Sequence, residues 1–128
     1  MPLQSLTPNL MVEDVNAAVD WYKDMLGFEL KMSNPESGTF EWAMLQSGEV
    51  KLMFEARASL EGELPALKEK PVGASGTFFI RLDDVKALYD RISGKVEIVS
   101  GLKKTSYGSE EFSITDNNGY ILTFAQFG

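Results

Sequence analysis

The chain repeats itself at an offset of 70 residues, and this repeat constrains its fold more than any other feature. The segment Val12-Glu13-Asp14-Val15 returns as Leu82-Asp83-Asp84-Val85, and the pattern Leu52-x-Phe54 returns as Leu122-x-Phe124. Self-similarity at a fixed period indicates a duplicated supersecondary unit. The 128 residues are therefore expected to form two copies of one structural unit.

Each half has the pattern of one strand, one helix and three further strands. In the first half, alternation predicts a strand over 5–12, Asp14 is a suitable N-cap for a helix that reaches about Leu26, and Gly27 is a natural stop. In the second half Asp84 takes the place of Asp14. The remaining strands are predicted at 28–33, 39–46, 49–55, 77–82, 95–100, 110–115 and 120–126.

This pattern predicts an α+β fold in which two tandem βαβββ units form a curved mixed sheet with a concave open face. We expect a single domain over 1–128, with one unit at about 1–56, a linker at about 57–75 that holds a helical turn or two, and a second unit at about 76–128. One helix covers only one face of a four-stranded sheet. The uncovered face is where a ligand is expected to bind.

Composition excludes several classes of function. The chain has no cysteine and no histidine, so it lacks thiolate ligands, the commonest metal ligand and the commonest general base. Its net charge is −7, which argues against nucleic acid as a partner. There is no apolar run near 18 residues and no leader pattern, so we expect a cytoplasmic protein that has no membrane partner.

Four stretches, in order and duplicated, resemble one known superfamily. They are Asn9 to Val15 running into Trp21-Tyr22 and Leu26-Gly27-Phe28; Val50 to Phe54; Phe79 to Val85; and Tyr107-Gly108 through Phe112 to Asp116 and Gly119. On these residues the chain resembles the vicinal oxygen chelate superfamily, which includes glyoxalase I, extradiol dioxygenases, fosfomycin-resistance enzymes and bleomycin-resistance proteins. The resemblance covers nearly the whole chain, and it implies a fold more than a function.

In the metal-dependent members of that superfamily, each unit supplies one metal ligand from its first strand and one from its last. Carried over by position, the resemblance places these ligands at Thr7, Met53, Thr77 and Thr123. Threonine hydroxyls are weak neutral ligands and methionine sulfur is soft, so this set does not suit zinc, manganese or iron. We therefore expect no metal and no cofactor.

Further residues on the predicted open face are candidates for binding a small molecule. Arg81 could bind a ligand carboxylate or phosphate, or pair with Glu55. Tyr107 corresponds to an aromatic residue in a loop over the pocket of related binders. The sequence does not decide which face Trp42 occupies. The full set of predicted ligand-binding residues is Thr7, Asn9, Trp42, Met53, Glu55, Thr77, Phe79, Arg81, Tyr107, Glu111 and Thr123.

The preferred hypothesis is a metal-free small-molecule binder that resembles the bleomycin-resistance proteins and sequesters a drug or an aromatic or cationic metabolite. The alternative is a lyase, isomerase or dioxygenase, using either an atypical carboxylate-bound metal or a Glu general base whose pKa is raised in an apolar pocket, at Glu55 or Glu111. A third hypothesis is a regulatory module that has lost the pocket. Because Met11, Met53 and Phe79 would leave an apolar open face, we expect a homodimer.

Overall fold

The chain folds as two compact units, one ending at Lys70 and the other beginning at Pro71. This computed structural model describes residues 2–73 and 75–128. The first unit consists of β1 (Asn9–Val12), α1 (Val15–Leu26), β2 (Glu29–Asn34), β3 (Trp42–Ser47), β4 (Val50–Ala56), α2 (Arg57–Glu63) and a 3-10 turn (Pro65–Leu67). The second consists of β5 (Thr77–Arg81), α3 (Val85–Ile92), β6 (Glu97–Lys104), β7 (Ser109–Thr115) and β8 (Ile121–Phe127).

Each unit has its own four-stranded mixed sheet, with the strand orders β1-β4-β3-β2 and β5-β8-β7-β6. In both sheets the first strand pairs parallel with the last, and the other pairs are antiparallel. The α+β class and the tandem βαβββ plan are therefore confirmed. The predicted linker contains α2, and the segment up to Lys70 belongs to the first unit.

The two helices of the repeat begin for the same local reason. The Asp14 carboxylate accepts a hydrogen bond of 3.0 Å from the Ala17 backbone N–H, and Asp84 accepts one of 3.1 Å from Ala87. Each carboxylate thus satisfies a backbone donor that has no partner within the helix. The apolar stripe of α1 then buries Tyr22 against Phe54, with ring centroids 4.9 Å apart.

Strand pairing shows the repeat at the level of individual residues. Asn9 lies opposite Met53, and Phe79 lies opposite Thr123, which preserves the offset of 70. In the third strand of each unit the offset falls to 69, because Trp42 lies opposite Glu55 while Glu111 lies opposite Ala125. Trp42 and Glu111 therefore occupy equivalent places in the two sheets.

Several predicted strand boundaries were wrong, among them the start of the strand expected over 39–46, which begins at Trp42. The first strand begins at Asn9 rather than at residue 5, so Thr7 precedes it, although the Pro8 carbonyl still accepts a hydrogen bond of 2.8 Å from the Met53 N–H. The strand expected near 95–100 runs to Lys104, with an irregular register between Ile98 and Lys103 that lets it continue beside β7. Within the described residues, no helix is long and apolar enough to cross a lipid bilayer.

Candidate functional site

Three aromatic side chains form an exposed group on the face of the second sheet that α3 does not cover. Phe79 is 51% exposed, Tyr107 61% and Phe127 37%. The Phe127 ring centroid lies 6.2 Å from that of Phe79 and 6.3 Å from that of Tyr107. These distances are typical of interacting rings. We call Phe79, Tyr107 and Phe127 the aromatic platform.

Arg81 gives the aromatic platform a positive charge. Its guanidinium carbon lies 4.4 Å from the centroid of the Phe127 ring, within the range of a cation–π interaction. The side chain remains exposed to solvent. A guanidinium on an aromatic ring can still use its N–H groups to bind a ligand oxygen.

Glu111 lies next to the aromatic platform and is held by two hydroxyl groups. Its Oε2 accepts a hydrogen bond of 2.6 Å from the Tyr107 hydroxyl and one of 2.7 Å from the Ser109 hydroxyl. The Ser109 hydroxyl in turn lies 2.7 Å from that of Thr105. Glu111 is only 7% exposed and therefore has little freedom to move. Its hydrogen bond to the Tyr107 hydroxyl thus fixes the Tyr107 ring relative to the sheet.

Tyr107 keeps its proton because of that contact. The hydrogen bond to Glu111 raises the pKa of Tyr107 above its ordinary value of 10.0, and burial and the charge of Glu111 act in the same direction. At neutral pH the Tyr107 phenol is therefore protonated, and its O–H group donates a hydrogen bond to Glu111.

The positions that the resemblance assigns to metal ligands hold neutral groups, and the two in the second unit bond each other. Thr77 Oγ1 lies 3.0 Å from Thr123 Oγ1, which lies 2.8 Å from the Ser113 hydroxyl. In the first unit, Thr7 precedes β1 and Met53 offers only a thioether. These donors do not fit zinc, manganese or iron. Among the described residues there is also no group of three or more acidic, histidine or cysteine side chains that could hold a metal ion.

Part of the open face of the first sheet is covered by its second helix. Helix α2 packs against β1 and β4, and Leu60 is buried in this packing. Met11, expected to be exposed, is 7% exposed, and Glu55 is 3% exposed. The segment interpreted as a linker forms this cover because Leu60 provides an apolar contact and the Ser59 hydroxyl donates a 2.7 Å hydrogen bond to Glu55.

The expectation that an apolar pocket raises the pKa of Glu55 was wrong. Burial acts to raise this pKa, but hydrogen bonds from Glu63, Asn9 and Ser59 outweigh it, and the pKa lies below the ordinary 4.5. The Asn9 amide donates at 2.9 Å. Glu63 has a raised pKa because it shares a hydrogen bond with the Glu55 carboxylate and feels its charge. Glu55 is thus a stabilised anion, which makes it a weak general base.

Trp42 lies on the open face of the first sheet, a question that the sequence left undecided. It pairs with Glu55 across the strands and is half-buried. Beside it, three methionines lie opposite one another on adjacent strands: Met53 opposite Met44, and Met44 opposite Met32. We call Met32, Met44 and Met53 the methionine row.

The sequence analysis missed several members of these groups. Phe127 was missed because the last strand was predicted to end at 126, although continued alternation from Thr123 places residue 127 on the same face. Ser59 and Glu63 were missed because their segment was treated as connection. Met44 follows from alternation within the strand predicted at 39–46, and Ser109 follows if the alternation of the strand predicted at 110–115 is continued one residue earlier.

Comparison with known proteins identifies one family. The model of the Glyoxalase/Bleomycin resistance protein/Dioxygenase superfamily matches residues 4–124. No curated protein gives a significant match.

Solved structures with the same fold have low sequence identity to this chain. TioX from Micromonospora sp. ML1 is 21% identical with a TM-score of 0.77, covering 98% of this chain and 99% of its own. A protein of unknown function from Agrobacterium tumefaciens is 19% identical with a TM-score of 0.82, covering 98% and 95%. The bleomycin-binding protein of Streptomyces verticillus, complexed with copper(II)-bleomycin, is 20% identical with a TM-score of 0.66, covering 100% and 98%. These likenesses show the fold alone.

Proposed function

The chain belongs to the glyoxalase/bleomycin resistance protein/dioxygenase superfamily, and from this premise we propose that it is a metal-free binder of a small aromatic molecule. The ligand stacks on the aromatic platform and is released unchanged. The observation that carries the proposal is the exposure of three neighbouring rings, Phe79, Tyr107 and Phe127, on an uncovered sheet face. Rings of this size are normally buried, and a contiguous exposed patch of them is typical of a binding surface.

The charged groups beside the aromatic platform define the kind of ligand. Arg81 can bind a carboxylate, sulfonate or phosphate attached to an aromatic system. Glu111 lies on the same sheet face, and its charge favours a ligand that also carries a cationic or donor group. A bleomycin-binding structure shares the fold, which supports sequestration of a drug as one use of such a surface. Homodimer formation and a cytoplasmic location remain part of this proposal.

Calorimetric titration with two probes tests the proposal. 1-Anilinonaphthalene-8-sulfonate presents an aromatic anion, and bleomycin presents an aromatic group with a cationic tail. Phe79→Leu or Phe127→Leu removes one ring contact. Each is expected to lower the affinity for the more tightly bound probe about three- to tenfold. Arg81→Gln should weaken the sulfonate more than bleomycin. Leu64→Ala is the control, because Leu64 is similarly exposed, at 54%, but lies in the first unit.

Two results would contradict the proposal. One is probe binding that survives Phe79→Leu/Phe127→Leu unchanged. The other is binding lost in Trp42→Leu but not in that double variant, which would place the ligand on the first sheet. Chromatography of the recovered probe decides whether it is unchanged.

A second candidate function is metal-free acid–base catalysis at Glu111. It is favoured by one observation, the 2.6 Å hydrogen bond between the Tyr107 hydroxyl and a carboxylate that is only 7% exposed. Such a pair can move a proton to and from a bound molecule. Turnover that is lost in both Glu111→Gln and Tyr107→Phe, with ligand affinity retained within a few-fold, would support this candidate over sequestration.

A further inference from the structure

We propose that the methionine row binds a soft monovalent cation, Cu(I) or Ag(I), on the open face of the first sheet. The row is made of Met32, Met44 and Met53, which are three of the six methionines in the chain. This site lies across a single sheet. It shares only Met53 with the four positions considered above for zinc, manganese or iron.

Strand register brings the three sulfur-bearing side chains together. Met53 and Met44 are directly opposite in the antiparallel pair of β4 and β3, and Met44 and Met32 are directly opposite in the pair of β3 and β2. Side chains directly opposite in an antiparallel pair lie on the same face, with Cβ atoms about 4.5–5.5 Å apart. Three unbranched side chains at this spacing can bring their sulfurs around one ion above Met44.

A break in the register of β2 places Met32 in this row. Leu30 lies opposite Leu45 and Met32 lies opposite Met44, so Lys31 is an extra residue in the strand. Without this shift in register, Lys31 rather than Met32 would lie opposite Met44 and would bring a positive charge to the site. Bulges of this kind redirect side chains. Lys31 is instead held by Glu29, at 3.0 Å.

The methionine row is accessible and is not needed to fill the core. Met32 is 56% exposed, and Met44 and Met53 are half-buried. The core lies on the other face, where Ala43, Leu45, Leu52 and Phe54 are buried. Methionine usually fills irregular gaps inside proteins, whereas these three lie at neighbouring register positions on an outer face.

The chemistry of this donor set selects the ion. Thioether sulfur is a soft neutral ligand that prefers Cu(I), and Ag(I) shares this preference, while oxygen-seeking ions find no ligand in the row. Trp42, two residues before Met44 on β3, belongs to the same face and provides an indole surface that attracts a cation. Glu55, two residues after Met53 on the same face of β4, is already bound by Asn9 and Ser59.

Titration of the whole protein with silver nitrate in chloride-free buffer tests the site without redox chemistry. We expect one Ag(I) per chain and a change in tryptophan fluorescence. Met44→Leu and Met32→Leu, which preserve volume, should each weaken binding at least about tenfold, since each removes one ligand. Met25→Leu on α1 is the matched control and should bind as the wild type does. Excess Zn²⁺ should not displace the ion.

A second measurement keeps the test decisive if a variant fails to fold. In wild-type protein labelled at the methionine methyl groups, the resonances of Met32, Met44 and Met53 should shift together as Ag(I) is added, while that of Met25 stays in place. The proposal is overturned if these three resonances do not move, if Met25 moves as much, or if Met32→Leu, a change at an exposed position, binds Ag(I) with wild-type affinity.

Discussion

At the scale of single residues, the same side-chain type does different work in the two units. Glu55 is buried beneath α2 and bound by three neighbours, one of which is itself a carboxylic acid. Glu111 is also buried, and the hydrogen bonds that it accepts within the described part of the chain come from the Tyr107 and Ser109 hydroxyl groups. Glu55 therefore belongs to the stability of the first unit, while Glu111 orients an exposed aromatic ring. Sequence alone treated both as equivalent cavity carboxylates.

The contact between Glu55 and Glu63 predicts a particular dependence of stability on pH. The pKa of Glu55 is lowered, so its contribution to folding stability is present above 4.5 and is lost as pH falls. The pKa of Glu63 is raised, so its contribution is present below 4.5 and is lost as pH rises through the raised value. The pair is most stable when Glu55 is ionised and Glu63 is protonated.

Glu63→Gln supplies a neutral donor to Glu55 at every pH. We expect this variant to be more stable than the wild type at pH 7, and the difference to shrink towards pH 4. Thermal unfolding measured at several pH values between 4 and 8 checks this. Glu49→Gln is the control, because it removes the same charge from an exposed turn. An equal gain in Glu49→Gln would mean that only net repulsion was relieved, and the predicted contact would be wrong.

At the scale of elements, the structure departs most from expectation where a segment without clear periodicity acquires a role through tertiary contacts. Residues 57–63 are too few for a helical stripe to be recognised, yet they form α2 and cover part of a sheet. Strands and the long helix were predictable because burial imposes alternation or a repeat of three to four residues. The ends of strands were less predictable, because strand pairing continues wherever a neighbouring strand offers free backbone groups.

A close approach of two chain segments in the second unit gives a prediction at this scale. Gly73 has φ +82°, and a Cβ atom added there would lie 2.7 Å from the Gly119 carbonyl carbon. Gly38 has nearly the same φ, +85°, but open space around it. Gly38→Ala should therefore cost about 1 kcal/mol in the free energy of unfolding, from backbone strain alone.

Gly73→Ala carries the same strain and also a clash with backbone, so a loss of about 2–4 kcal/mol is expected. Urea denaturation of both variants measures the difference between them. Equal losses would show that the segment around Gly73 can move away from Gly119 without cost. In that case the contact would contribute nothing to the stability of the second unit.

At the scale of the whole molecule, duplication explains why the fold could be predicted when the ligand could not. The offset of 70 residues was visible in the sequence and recurs in strand pairing, from Asn9 with Met53 to Phe79 with Thr123. The candidate site depends instead on which residues interrupt that regularity. The exposed Phe127, the covered Met11 and the face of Trp42 all follow from local boundaries that the repeat does not specify.

The donor set predicts how the molecule responds to metal ions. Zn²⁺, Mn²⁺ and Fe²⁺ should not raise the melting temperature, and protein purified without chelator should contain none of them in stoichiometric amount, because Thr7, Met53, Thr77 and Thr123 offer these ions no charged ligand. Elemental analysis and thermal shift check this, with Ag(I) as the contrasting ion. Stoichiometric metal together with a shift abolished by Glu55→Gln would instead indicate a metalloenzyme with a relocated site.

Because the two units are parts of one chain, equivalent positions in them can hold different side chains. Trp42 and Glu111 occupy equivalent backbone positions in the two units, yet one is an indole and the other a carboxylate. Two copies that share a scaffold can accumulate substitutions separately, so selection can alter the surface of one while the other stays fixed. In a symmetric assembly of single units, every such change would have appeared twice. Fusion of the copies into one chain therefore lets a new binding preference arise by single mutations.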